Sequence, residues 1–255
     1  MNAVWVLARR ELLRFCRQPV RLFGSLVQPL LFWFFMGAGF AGSFAPGGEA
    51  GTGYREFFFP GIAVMLLLFA AIFSTITLIE DRAAGFLQGV LVAPVSRLGL
   101  VLGKMAGGTA IALIQALVFL GFAPLAGIPL SPEIIAGQVG LFCLVGMGFT
   151  GLGFAVAWSM DTVAGYHAVM SVVMIPLWLI SGALFPVEGA SPWLAGAMRL
   201  NPVFYALVLI RKAFYQPLPA LWGDGEFLVA LAVSAAWTGL TIAGSVWIVY
   251  RRPDI

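Results

Sequence analysis

Charge is what this sequence most lacks. Only 10% of its 255 residues are Asp, Glu, Lys or Arg, 61% are hydrophobic, and the mean hydropathy is +1.00. A soluble domain carries about 25% charged and roughly 45–50% apolar residues. Too little polar surface is present to coat a water-soluble globule, which excludes a soluble enzyme, a secreted disulfide scaffold and a disordered tail. Cysteine is nearly missing: Cys16 and Cys143 stand far apart, each in or beside an apolar stretch, so no disulfide framework is expected. Histidine occurs once, as His167, without a Cys or His companion at metal-ligand spacing, and no metal site is expected. No G-x-x-x-x-G-K-[ST] motif occurs, so nothing cradles nucleotide phosphates in the usual way. No cofactor is therefore expected on this chain, and nothing points to a nucleic-acid partner.

What is present is apolar sequence in long runs. A helix needs about 20 apolar residues to cross a bilayer, and six stretches qualify: 22–44, 57–79, 105–125, 134–160, 162–184 and 227–250. They lack the alternation of barrel strands, and backbone in lipid must satisfy itself internally, so all six read as helices. The expected fold is an all-α integral membrane protein of six transmembrane helices, with residues 1–255 as a single domain. The first run begins only after five arginines and no small-residue cleavage site closes it, so it reads as a span and not a removable leader.

Orientation follows from Lys and Arg near the span ends. With the N-terminus in the cytoplasm, the inner side collects Arg9, Arg10, Arg14, Arg17, Arg21, Arg82, Arg97, Lys104, Arg251 and Arg252; the outer side holds Arg55, Arg199, Arg211 and Lys212. Both termini are expected in the cytoplasm. A seventh apolar stretch, 193–215, carries Arg199, Asn201, Pro202, Arg211 and Lys212. A central Arg costs about 2.5–3.5 kcal/mol on insertion scales, and Pro202 breaks a straight helix. The stretch is expected to form a re-entrant or interfacial hairpin between spans five and six on the outer face.

Three further segments carry chemistry. At 100° per residue, Arg10, Arg14, Arg17 and Arg21 fall on one stripe of an N-terminal helix, with Trp5, Ala8, Leu12 and Phe15 opposite. That is the pattern of a helix lying on anionic membrane lipid, and equally of a positive-inside topogenic signal. The inner loop after the second span starts Glu80-Asp81-Arg82 and continues through Phe86, Leu87, Val90 and Leu91 at helical spacing to Pro94, Arg97 and Gly103-Lys104. Spacing alone leaves open whether this short helix docks in a partner's groove or packs on its own bundle. Small residues let membrane helices approach closely. Gly103/Gly107 and the cluster Gly146, Gly148, Gly151 and Gly153 read as tight packing within the subunit. The aromatic groups 32–35 and 57–59 read most simply as interfacial or lipid-facing anchors, the alternative being that some line a path for an apolar or amphipathic substrate; the intramembrane polar residues Gln28, Gln115 and His167 read as structural hydrogen bonders.

The loop resembles the cytoplasmic signature of type-2 ABC exporter permeases: an acidic-basic cluster, Gly85, Leu87, then Leu91-Val92-x-Pro94-x-Ser96-Arg97 and Gly103-Lys104. Two more blocks carry the resemblance, Gln28-Pro29-Leu30-Leu31-Phe32 in the first span and Leu179 to Val187 with Pro192-Trp193-Leu194, Arg199-Leu200-Asn201-Pro202 and Tyr205-Ala206. Together they cover nearly the whole chain in order. The resemblance implies a coupling helix on a separate cytoplasmic ABC ATPase, involving Glu80, Asp81, Arg82, Phe86, Leu87, Val90, Leu91 and Arg97. It implies outer re-entrant helices closing an exit, with Phe185, Pro186, Arg199, Asn201, Pro202 and Tyr205. It implies an interfacial helix bearing Trp5, Arg10, Arg14, Arg17 and Arg21. Family members often place acidic residues where this loop has Ala84, Phe86 and Gln88, so ion pairing would fall to Glu80, Asp81, Arg82 and Arg97.

Six helices make a thin wall, which implies a path between two copies, served by two ATPases that hold ATP and Mg. The expected function is a permease subunit, not itself an enzyme, exporting a hydrophobic or amphipathic substrate (drug, lipid or lipid-linked glycan) across the inner membrane. The alternative is a self-sufficient secondary transporter or channel, against which stand the lack of paired intramembrane carboxylates and of an evident inverted repeat with broken spans.

Overall fold

The computed structural model describes residues 3–40, 53–92 and 95–251, and for residues 19–22, 91 and 92 the backbone only. Among them no strand occurs. Helices α1 (Ala3–Cys16) and α2 (Pro19–Gly39) precede α3 (Tyr54–Ser74), which continues past Thr75 into α4 (Ile76–Ala83). The short α5 (Phe86–Val92) leads to α6 (Arg97–Leu120), α7 (Pro132–Trp158) and α8 (Val163–Trp178). Then come α9 (Pro192–Leu200), α10 (Pro202–Tyr215), the single turn α11 (Leu218–Leu221) and α12 (Gly225–Arg251).

The long helices start where hydroxyl caps satisfy the free N–H groups of the first turn. Ser96 accepts from the Gly99 N–H at 3.0 Å, Ser131 from Ile134 at 3.2 Å and Thr162 from Gly165 at 3.1 Å. Five helical stretches are long and apolar enough to cross a bilayer: Tyr54–Ala83, Arg97–Leu120, Pro132–Trp158, Val163–Ala183 and Gly225–Arg251. The described apolar part of α2, Phe23–Gly39, is shorter; the end expected for the first span, residues 41–44, lies outside the described residues. This is an all-α integral membrane protein.

Packing places α3 at the centre, buried over most of its length, whereas α8 and α12 are buried over less than a quarter of theirs. The central position corrects the reading of 57–59 as lipid-facing: Phe58 and Phe59 are fully buried. The Phe59 ring stacks on Phe119 at 4.4 Å between centroids, and Trp33 and Phe214 each meet it edge-on at 5.5 Å. The glycines of α7 admit its neighbours. A Cβ at Gly148 or Gly151 would fall 2.7 or 2.6 Å from the hydroxyls of Thr238 and Thr241 on α12, and one at Gly153 would fall 3.0 Å from the Ile72 backbone.

The two ends of the bundle differ. At the basic end Arg82 donates to the Trp158 and Met160 carbonyls at 2.8 and 3.0 Å, across the turn between α7 and α8. Arg97 donates to the Val249 and Tyr250 carbonyls at the end of α12. The opposite end holds the broken segment that follows α8.

Candidate functional site

The N-terminal helix is seated by two glycines. A Cβ on Gly103 would fall 2.9 Å from the Leu7 Cβ, and one on Gly107 would fall 2.7 Å from the Glu11 Cβ. The G-x-x-x-G of α6 thus brings α1 close enough for Leu7, Ala8, Glu11 and Phe15 to be buried. That burial carries a carboxylate inward, and the structure answers it with an ion network. Lys104, on α6 between the two glycines, donates to Glu11 at 2.7 Å and also to Asp81 of α4. Arg10 holds Asp81 in a bidentate pair with both bonds at 2.7 Å. Arg14 meets Glu80 at 2.6 Å and Asp81 at 3.3 Å.

Glu11, Asp81 and Lys104 are each less than 5% exposed at the side chain. Isolated, each would carry a desolvation penalty of several kcal/mol; paired and hydrogen-bonded, they tolerate burial. Three cations (Arg10, Arg14, Lys104) face three anions (Glu11, Glu80, Asp81), so the network is neutral. The hydrogen bond to Asp81 raises the Arg10 guanidinium above its ordinary value, so Arg10 stays charged at any accessible pH.

This arrangement revises the reading of α1 as a stripe of arginines facing lipid. Arg10 and Arg14 turn to the carboxylates of α4 instead of a headgroup layer, while Arg9, Arg17 and Trp5 face outward, Trp5 at 62% exposure. The apolar side divides in the same way, with Ala8 and Phe15 buried against the chain. The side chain of Arg21 lies outside the described ones. The sequence reading missed Glu11 and treated Lys104 as a topogenic charge and loop marker. The available signal was a lone acid inside an arginine-rich helix, and a lysine between two glycines spaced four apart.

The loop helix α5 also differs from expectation. Leu87, expected to enter a partner's groove, is fully buried in the chain's own core, with Phe86 and Val90 half-buried against that core. The Arg10 guanidinium lies over the Phe86 ring at 3.8 Å, which joins the ion network directly to α5. An apolar face of a short helix packs on the nearest apolar surface, here the chain's own bundle. The edge left to a partner is Ala83, Ala84, Gly85, Gln88 and Gly89, all exposed. The side chain of Leu91 lies outside the described ones.

Between α2, α3 and α8 runs a groove of about 1270 Å³. Its walls are aromatic and aliphatic, with Phe32, Phe35, Phe69 and Phe73 prominent, and it opens outward where Phe35 is 65% exposed. Gln28 and His167 stand along it, both exposed, His167 beside the Phe73 ring at 5.1 Å. Among the described residues, charge occurs at its basic end alone, where Glu11, Arg14 and Glu80 line it. Gln115 also borders the groove but is buried, and its side-chain oxygen finds no partner among the described residues.

At the other end of the bundle α8 loses its regular winding over Leu179–Ala183, where Ile180 and Gly182 leave helical geometry and Gly182 takes φ +87°. A left-handed residue in that position favours glycine. The freed carbonyls are met by the polar residues that made 193–215 costly as a span. Asn201 donates to the Leu177 carbonyl at 2.6 Å and caps α10 by accepting from the Val203 N–H at 3.0 Å. Arg211 donates to the Gly182 carbonyl at 3.0 Å and lies over the Phe57 ring at 4.4 Å. Helices α9 and α10 cross at 85° about this point. Tyr205 donates to the Arg199 carbonyl at 2.8 Å; Phe185, Pro186 and Pro202 are half-buried beside the break, and the Arg199 side chain is exposed.

Membrane-crossing helices around a lateral groove, with a loop braced into the bundle by ion pairs, define a multi-pass membrane protein. The chain belongs to the ABC-2 type transporter family, whose profile matches residues 2–215. It is similar to the protein named "Putative transport permease ycf38" of Cyanophora paradoxa, at 31% identity over 83% of this chain and 73% of that one. The protein of the same name from Porphyra purpurea is 31% identical over 88% of this chain and 80% of its own. Nodulation protein J of Neorhizobium galegae is 29% identical over 85% and 82%. The chain is thus a permease of the ABC transporter class.

Proposed function

We propose that the chain is the permease subunit of an ATP-driven exporter, paired with a second copy of itself and with two copies of a separate cytoplasmic ATPase that hold ATP and Mg. The observation that carries this reading is the ion network. It fastens α4, and through Phe86 α5, to both α1 and α6. Bidentate Arg–carboxylate pairs fix geometry as well as supply energy. A push on the exposed edge of α5 is then delivered to α1 and α6 instead of being lost in a slack loop.

The rest of the reading follows from the two ends. The basic end faces the cytoplasm, with both termini there and the chain in the inner membrane. Arg9 and Arg17, with exposed Trp5 and Leu13, rest against anionic lipid. The broken segment with α9 and α10 closes the exit on the outer face. Each groove is half of a path between copies, and its aromatic walls suit a hydrophobic or amphipathic substrate (a drug, a lipid or a lipid-linked glycan).

The buried acids Glu11 and Asp81 are a pair of carboxylates that the sequence reading did not foresee, and an ion-coupled transporter would also need such a pair. Here every charge of the network is matched by an opposite one, leaving no unpaired carboxylate to load. Gentle purification from the native membrane tests the proposal. Copurification of a P-loop ATPase in equal amount, with vanadate-sensitive turnover, is the expected result. A chain that arrives alone and moves solutes in ATP-free liposomes overturns it.

A further inference from the structure

The groove is not uniformly apolar, and its polarity is arranged end to end. Among the described residues, the charged side chains bordering it are Glu11, Arg14 and Glu80, all at the basic end. Glu11 is committed inward to Lys104 and Arg10. That leaves Arg14 and Glu80 as the pair on the sill, 2.6 Å apart, with side chains 33% and 38% exposed. Both belong to a network whose charges already cancel.

This balance restricts what the sill accepts. A head bearing only a negative charge would draw Arg14 away and leave Glu80 without its cation, beside Asp81 and the new anion. A head bearing only a positive charge would take Glu80 and strand Arg14. Leaving one member of the pair uncompensated beside the buried Asp81 is what makes such exchanges unfavourable, and water at these partly exposed side chains reduces that cost without removing it. A neutral head gains hydrogen bonds at most, with no charge–charge contact to either group. A head with both charges replaces each contact in kind, anion to Arg14 and cation to Glu80, and the network stays neutral.

We infer that the groove binds an amphiphile with a zwitterionic head at Arg14 and Glu80 and its tail along Phe32, Phe35 and Phe69. The inference rests on the reading of the groove as a half-path, and it adds the charge type of the molecule carried. The same chemistry has two sources, a zwitterionic phospholipid of the leaflet or a zwitterionic amphiphile arriving from the water.

The test uses the full chain in nanodiscs and dodecylphosphocholine bearing a photoreactive diazirine at the end of its tail. Labelled peptides are mapped by mass spectrometry, and four unlabelled competitors with one tail are compared: dodecylphosphocholine, dodecyl phosphate, dodecyltrimethylammonium and dodecyl maltoside. The expected result is label on α2, α3 and α8, with dodecylphosphocholine competing at least tenfold better than the other three. In Glu80→Gln and Arg14→Gln that preference should fall to about twofold. Groove labelling with equal competition by all four heads overturns the headgroup inference while leaving the groove as a path. Absence of label from α2, α3 and α8, as when a second copy fills the groove, overturns both. The comparison of heads on the unmodified chain decides the matter even if a variant fails to fold. Weaker labelling in phosphatidylcholine than in phosphatidylglycerol nanodiscs assigns the zwitterion to bilayer lipid; equal labelling assigns it to a molecule from the water.

Discussion

Removing the charge of Lys104 isolates one partner of the network in a calculable way. In Lys104→Met, Asp81 keeps the bidentate pair with Arg10 at 2.7 Å and the longer contact to Arg14. Glu11 loses its 2.7 Å bond and retains only Arg10 at 3.2 Å, which Arg10 must share with Asp81. Glu11 is therefore the stranded carboxylate, at 3% exposure. Breaking a buried pair from one side costs about 3–5 kcal/mol, which corresponds to a fall in Tm on the order of 10 °C for a chain of this size. The double variant Glu11→Gln with Lys104→Met removes the stranded charge and should recover more than half of the loss. Thermal unfolding of the purified chain in detergent, followed by intrinsic fluorescence, measures all three forms. A single variant within about 1 kcal/mol of the parent, or a double variant no better than the single, refutes the assignment of Lys104 as the counter-ion of Glu11.

Substitutions on α5 should separate by face: Leu87→Asp buries a carboxylate in the core and unfolds the basic end, whereas Gln88→Arg, of opposite charge to the acids that family members often place there, leaves stability within about 1 kcal/mol of the parent but weakens ATPase copurification. Gly107→Val should lift α1 from α6, because its Cβ would fall 2.7 Å from that of Glu11, and proteolysis near residue 9 should rise; Gly24→Ala, with no atom within 4 Å of the new Cβ, is the neutral control. The Lys212 ammonium at 2.6 Å holds the Asp224 carboxyl below the usual carboxylate range. A depressed carboxyl stabilises the fold above the unfolded value of about 3.9 and loses that contribution as pH falls through the folded value. Asp224→Asn should therefore lower stability slightly at neutral pH, match the parent in acid where the carboxyl is protonated in both states, and so flatten the acid limb of a pH–stability curve.

Several features were legible because they depend on local sequence. Length and hydropathy located the spans, and Arg199, Asn201 and Pro202 marked a segment that could not cross lipid as a straight helix. Other features depend on tertiary position. A short helix carrying Phe86, Leu87 and Val90 looks the same whether its apolar face meets a partner or its own core. Arginines on a long side chain choose between phosphate and carboxylate only once the carboxylates of α4 are in reach. Phe58 and Phe59 read as anchors because composition does not tell a central helix from a peripheral one. Gly103 and Gly107 were legible as a close approach, but not as the seat of α1.

The ion network also sets an order of assembly. Glu11 is made first, Asp81 comes seventy residues later, and Lys104 later still. Chains emerge N-terminal end first, so α1 must wait at the membrane surface while its counter-ions are synthesised. During that interval Arg10 and Arg14 lack the carboxylates of α4, and they gain them only when that helix arrives. The latch of the finished bundle thus closes only after both of its halves have been synthesised.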